Sequence, residues 1–204
     1  MTLVFASSNQ NKIKEINAIL PPGFEIKGLK EVGISEEIPE PGSTIKENSY
    51  LKAKYVAEHL GSTSKVGVFA DDSGLEVEAL HGAPGVYSAR YAGVPKSDEA
   101  NNKKLLKELS IATNRKARFV TIITLILNGE VLYFEGEIKG TIAFEGRGTN
   151  GFGYDPLFIP QGYRSTFAEL SPETKNTISH RAMAVNKLID FLSRTKSETS
   201  NSQL

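Results

Sequence analysis

A chain of 204 residues with 24 basic and 24 acidic side chains is long enough for one domain, or one domain of two lobes, around a substantial core. Its charge balance gives no net field that would recruit nucleic acid or an anionic membrane, so any anion site must be local. It has no cysteine, which excludes disulfides and thiolate metal sites and makes a reducing cytoplasm the expected setting. MTLVFASSNQNK lacks the basic-then-apolar pattern of a leader, and no run approaches the ~20 apolar residues of a membrane span, so no membrane partner is expected.

The first elements read strand, loop, helix. TLVFAS is short and apolar, SSNQNK is polar, and Ile13, Ile16, Ile19 and Leu20 recur at helical spacing until PPG interrupts them. FEIKGL is a second strand candidate, followed by an acidic, Pro/Gly-punctuated loop, EVGISEEIPEPGS. Thr44 and Glu47 resemble a capping box, predicting a helix that runs to about Leu60 with Ile45, Ala53, Val56 and Leu60 facing inward. VGVFA is a buried strand expected to end in a tight DDSG turn at Gly74.

A further helix is expected from Ser97, with Asp98 and Glu99 in its first turn, as the helix dipole prefers. ARFVTIITLIL is a long strand, and Asn128-Gly129 predicts a hairpin into EVLYFEGEIKG. This antiparallel pair beside the earlier strand-helix alternation predicts an α/β fold with a mixed sheet. A glycine-rich loop, EGRGTNGFGYDP, leads into LFIP. The last helix is expected from Ser179 through Leu192, and the polar residues 194–204 beyond a domain spanning 1–193 are expected to form a disordered tail.

Three groups of residues could carry chemistry. In SSNQNK, Ser7, Ser8 and Lys12 converge with backbone amides on a helix N-terminus, which suits an anion but equally serves as an ordinary capped helix start. It is not a P-loop, because the glycines and the GK[ST] ending are missing. Asp71 and Asp72 repel unless donors or a cation take up their charge; one could hold Mg²⁺ and the other accept a proton from water, or the pair could simply cap a turn. Glu36, Glu37 and Glu40 are candidate additional carboxylates, and the sequence does not choose among them. In GTNGFGYDP, Phe152 offers a stacking face and Asp155 an acceptor for ring N–H groups, unless the aromatics Phe152 and Tyr154 belong to the core. Lys175, His180 and Arg181 bring donors to the start of the last helix, whereas His59 and His81 are assigned no role. Together these describe a phosphate-type, a metal-type and a base-type site, the parts of a nucleotide enzyme.

The motifs FASSNQNKIKE, ENSYLKAKYVA, ADDSGLEVEALHGAPGVYSARYAG, GTNGFGYDPLFIP and FAELSPETKNTISHRAMA, in this order, resemble the inosine triphosphate pyrophosphatase family. These are the noncanonical purine nucleoside triphosphate pyrophosphatases acting on dITP, ITP and XTP. The resemblance covers nearly the whole chain. It implies two lobes around a nucleotide cleft, Mg²⁺-dependent hydrolysis to monophosphate and pyrophosphate, and a homodimer. Carried over residue by residue, it implies a triphosphate loop at Ser7, Ser8, Asn9, Gln10, Asn11 and Lys12, with Lys52 also meeting phosphate. It implies metal ligation by Glu40 and Asp72 with Asp71 beside them, Asp72 also as general base, and Ser73 against substrate. The base pocket falls on Phe152, Gly153, Tyr154 and Asp155 with Lys175, His180 and Arg181.

Three positions depart from the family pattern. Ser8 replaces a glycine, Asn11 stands where a smaller residue or histidine is common, and GTNG puts Asn150 where a positive φ is expected. The alternatives to this reading are a Maf-like pyrophosphatase with other nucleotide specificity, against which GFGYDP and SHR speak, and a nucleotide sensor without catalysis, against which the retained carboxylates and lysines speak.

Overall fold

A computed structural model describes residues 2–61 and 66–201. Six strands form one mixed sheet in the order β2-β1-β3-β4-β5-β6: β1 (Thr2–Phe5), β2 (Glu25–Lys27), β3 (Gly67–Val77), β4 (Lys116–Leu127), β5 (Glu130–Ile142) and β6 (Phe158–Pro160). β1 pairs in parallel with both β2 and β3, and every later pairing is antiparallel. The helices are α1 (Gln10–Ile19), α2 (Ile45–Leu60), α3 (Asp98–Glu108), α4 (Pro172–Ile178) and α5 (His180–Asn201).

Strand alternation divides the core. Phe5, Phe69, Ile123 and Leu125 face α1 and α5, whereas Val4, Val68 and Ala70 face α2. Phe5 and Phe69 stack with ring centroids 4.7 Å apart, anchoring β1 to β3. At the far end, Leu75, Val77 and Phe119 pack with Leu105 of α3 and Leu109, which caps it. Among the described residues no helix is long and apolar enough to cross a membrane.

The expected helix starts hold at Thr44, whose hydroxyl accepts the Glu47 amide, and at Ser97, which accepts that of Ala100. Asn128 and Gly129 take φ values of 51° and 82°, the left-handed pair that a two-residue hairpin demands.

The structure corrects four expectations. DDSG is not a turn: β3 runs on to Val77 because β4 pairs with it continuously from Val68–Ile126 to Val77–Ala117. Gly74 is required by packing instead, since a Cβ there would lie 2.5 Å from the Gly85 carbonyl oxygen. Asn150 is not among the positive-φ residues; Gly151, with φ 78°, takes the left-handed position, while Asn150 Nδ2 donates to the Leu170 carbonyl at 3.0 Å. The segment before the last helix forms α4, capped by Ser171 with Pro172 at its first turn, so Lys175 lies on α4 and only His180 and Arg181 open α5. α5 continues past Leu192 to Asn201, and residues 202–204 of the expected tail lie outside the described residues.

Candidate active site

The pairing of β1 with β3 stops at Phe5–Phe69, while β3 continues for eight residues to Val77. Where β1 leaves that edge, a cleft of about 240 Å³ opens, floored by Asp72, Ser73 and Gly74. This is the carboxyl end of a parallel strand, where α/β sheets present ligands.

Alternation along β3 sends the neighbouring aspartates apart. Asp71 points to the α1/α5 face, where Lys12 Nζ meets Oδ1 at 3.0 Å and Arg181 Nε meets Oδ2 at 3.0 Å. It is fully buried and does not line the cleft. Burial alone would raise its pKa, but the Lys12 and Arg181 charges outweigh that cost and hold the carboxyl well below the usual range. Asp72 points to the α2 face and does line the cleft, with Lys52 Nζ 3.1 Å from Oδ1. There burial prevails over the Lys52 and Lys12 charges, and the Asp72 pKa is raised. Lys52 also donates to Glu40 Oε1 at 2.7 Å, so one ammonium joins the two carboxylates. Asn48 positions the Glu40 loop by accepting the Gly42 amide at 2.7 Å.

At one end of the cleft Ser7, Ser8, Asn9 and Lys12 line the wall. Asn9 caps α1, its Oδ1 accepting the Asn11 and Lys12 amides, while Ser7 Oγ accepts the Asn9 amide. The helix is therefore capped locally, while Ser7, Ser8 and Lys12 still line the cleft. Gln10 and Asn11 are exposed and lie off its wall.

The other end is built from the glycine-rich loop, α4 and the start of α5. Phe152 is half-buried on the wall, with Lys175 Nζ 5.1 Å and the Arg181 guanidinium 5.7 Å from its ring centroid. Asp155 Oδ2 accepts Lys175 Nζ at 2.6 Å and the Phe152 amide at 2.8 Å, which fixes the loop on itself. His180 stacks on Phe119 at 4.6 Å with planes 8° apart. Burial, then the Arg181 and Lys175 charges, holds its pKa well below the ordinary value, so the imidazole is neutral, and its buried Nδ1 has no partner among the described residues. Tyr154 divides from Phe152. Its ring joins the core and its hydroxyl donates to the Ser88 carbonyl at 2.9 Å, although the residue still touches the cleft wall.

Glu15 is a site residue that the sequence did not reveal. It takes Lys175 Nζ on Oε1 at 2.8 Å and Arg181 Nη1 on Oε2, coupling both cations of this end. Its pKa is lowered, because Arg181 and Lys175 outweigh the burial that would raise it. Phe119, Asp98 and Lys96 also line the cleft. Their only sequence signals were a strand pattern, a helix first turn and a loop, none of which points to a site.

The cleft thus joins cations and hydroxyls to an aromatic slot with mixed donors and acceptors. Among the described residues no cluster of three or more His, Cys, Asp or Glu comes together. Of the carboxylates that line the cleft, Glu40 and Asp72 are brought together on Lys52 Nζ. That donor set fits Mg²⁺ at a phosphate site, which takes one or two carboxylates and completes its shell with phosphate oxygens and water.

Residues 3–191 match the model of the Ham1 family. A dITP/XTP pyrophosphatase of Flavobacterium johnsoniae is 52% identical over 96% of this chain and 100% of its own length. One of the same name from Porphyromonas gingivalis is 53% identical over 93% of this chain and 96% of its own. Among solved structures, the Staphylococcus aureus Ham1 protein superimposes with a TM-score of 0.86 at 45% identity, covering 96% of this chain and 100% of that one.

Proposed function

The chain belongs to the Ham1 family, and on that premise we propose that it hydrolyses the noncanonical purine nucleoside triphosphates dITP, ITP and XTP to the monophosphate and pyrophosphate. The observation that carries this reading is one cleft lined by the Lys52-bridged pair Glu40–Asp72, the Lys12 loop and the Phe152–His180 slot together. A nucleoside triphosphate calls for the same three parts: cations for its phosphates, carboxylates for its reacting bond and a slot for its base.

Lys12, Lys52, Ser7 and Ser8 bind the phosphates and offset the charge that grows on the departing pyrophosphate. Mg²⁺ held by Glu40 and Asp72 would add a further positive charge against the phosphate oxygens. Water oxygen bonds to the α-phosphorus, the bond from that phosphorus to the α–β bridging oxygen breaks, and pyrophosphate leaves. Asp72 orients the water and accepts its proton, a role that its exposure to the cleft permits and the enclosure of Asp71 does not. Asp71 instead holds Lys12 and Arg181 in place.

At the base end Phe152 stacks on the purine and Asp155 accepts a ring N–H. Arg181 commits three of its N–H groups to Asp71, Glu15 and Ser73, which leaves others for a 6-oxo group. A neutral His180 donates to the same oxygen in the appropriate tautomer. The 6-amino group of adenine would face these donors with a donor, at a cost of about 1–3 kcal/mol for each buried group left unpaired. We further propose a cytoplasmic homodimer; the lack of cysteine supports the first part.

Phosphorus NMR of ITP incubated with the protein and Mg²⁺ tests the bond assignment. IMP and pyrophosphate are expected; IDP and orthophosphate would overturn it.

A further inference from the structure

Gly153, in the middle of the loop given to the base, has a φ of 63° and both of its backbone polar groups held by one helix. Asp98 Oδ2 accepts its N–H at 2.7 Å, and Asn102 Nδ2 donates to its carbonyl at 2.8 Å. Asp98 and Asn102 sit four residues apart at the start of α3, hence on one face a turn apart. Asp98 is in the first turn, where the helix dipole favours its charge.

The helix that provides this grip is itself fixed. Asn101 Nδ2 donates to the Ala89 carbonyl at 3.2 Å, its Oδ1 accepts the Ala92 amide at 2.7 Å, and Lys104 Nζ donates to the Tyr91 carbonyl at 2.7 Å. The loop returns the tie through Tyr154, whose hydroxyl donates to the Ser88 carbonyl of the same segment. The left-handed Gly153 is therefore a clamped point rather than a free hinge.

We propose that Asp98 and Asn102 are positioning residues for base recognition, clamping the Gly153 peptide so that Phe152 and Asp155, on either side, keep the spacing a purine requires. The inference rests on the reading of this loop as the base site. Asp98 lines the cleft beside Gly153, but by taking the Gly153 N–H it withdraws that donor from the ligand. The edge of the base is then read by side chains held on a fixed backbone, and a shift of the loop weakens base binding while leaving the phosphate end intact.

The test compares Asp98→Ala, Asp98→Asn and Asn102→Ala with the wild type, measuring KM and kcat for ITP and inhibition by inorganic pyrophosphate, which does not reach the loop. Loss of one charge-assisted hydrogen bond predicts a KM for ITP raised about tenfold in Asp98→Ala, with kcat and pyrophosphate inhibition within about twofold. Asp98→Asn, which keeps an accepting oxygen, restores KM to within about threefold of wild type, and Asn102→Ala shifts KM in the same direction by less. An unchanged KM in Asp98→Ala, or pyrophosphate inhibition weakened by the same factor as KM, would overturn the clamp. Wild-type protein that releases no pyrophosphate from ITP would overturn the functional reading instead. Exchange of the Gly153 amide proton then still reports the clamp: about tenfold faster exchange in Asp98→Ala supports it, and equal exchange overturns it.

Discussion

Asp71 and Asp72 are neighbours in the chain and opposites in the structure: the first is sealed between Lys12 and Arg181 on one face of β3, the second opens to the cleft beside Lys52 on the other. Two like charges at consecutive positions are tolerated because the strand sends them to opposite faces, and each face supplies its own cations. On the proposed function, Asp71 would then serve stability and Asp72 chemistry.

Asp71→Asn should act on folding. It takes the carboxylate from buried Lys12 and leaves Arg181 with Glu15 alone, at a cost of about 3 kcal/mol, or a Tm lower by roughly 6–12 °C. The folded-state pKa lies below the unfolded value, so the stabilisation is complete above that value and is lost as pH falls through the folded one. The Tm gap between wild type and variant should therefore stay constant from about pH 7 to about pH 5 and narrow below about pH 4, as thermal unfolding at several pH values will show.

Asp72→Asn should act on turnover. Loss of the proton acceptor predicts a fall of at least ~10²-fold in kcat, while Lys52 keeps its bond to Glu40 and Tm moves by less than roughly 3 °C. Retained activity, or a Tm loss as large as that of Asp71→Asn, would contradict the division.

Gly136→Ala should disturb the site from behind. A Cβ there would stand 2.0 Å from the His180 carbonyl oxygen and 2.7 Å from the Ala184 nitrogen, so β5 and α5 must part. Overpacking of this kind costs about 1–3 kcal/mol, a Tm lower by roughly 2–12 °C. Because the displaced turn carries His180 and Arg181, KM for ITP should rise more than inhibition by pyrophosphate weakens; steady-state kinetics on the folded variant will read the difference.

What was legible in the sequence was local. Thr44, Ser97 and Asn128-Gly129 announce their caps and turn by side-chain chemistry acting within a few residues, and the chain-order alternation predicts the mixed sheet. The motifs locate both ends of the cleft. What was not legible depends on distant pairing: nothing near Glu15 reveals that it meets Lys175, 160 residues away. DDSG reads as a turn because its composition is that of a turn, and only ten registered pairs with β4 keep it extended. The glycine at 136 looks like a weak strand position until α5 is laid across it. The contrast between Phe152 and Tyr154 is of the same kind, since one aromatic faces the cleft and the other the core within a single loop.

The cleft is proposed to read a 6-oxopurine and to split pyrophosphate from it. The most direct measurement is kcat/KM for pyrophosphate release from ITP, dITP, XTP and dATP by the purified protein, with Mg²⁺ and again with EDTA. Values for the three 6-oxopurine substrates are expected at least ~10-fold above that for dATP, with loss of release on chelation. Equal values for dATP and dITP, or undiminished release in EDTA, would contradict it.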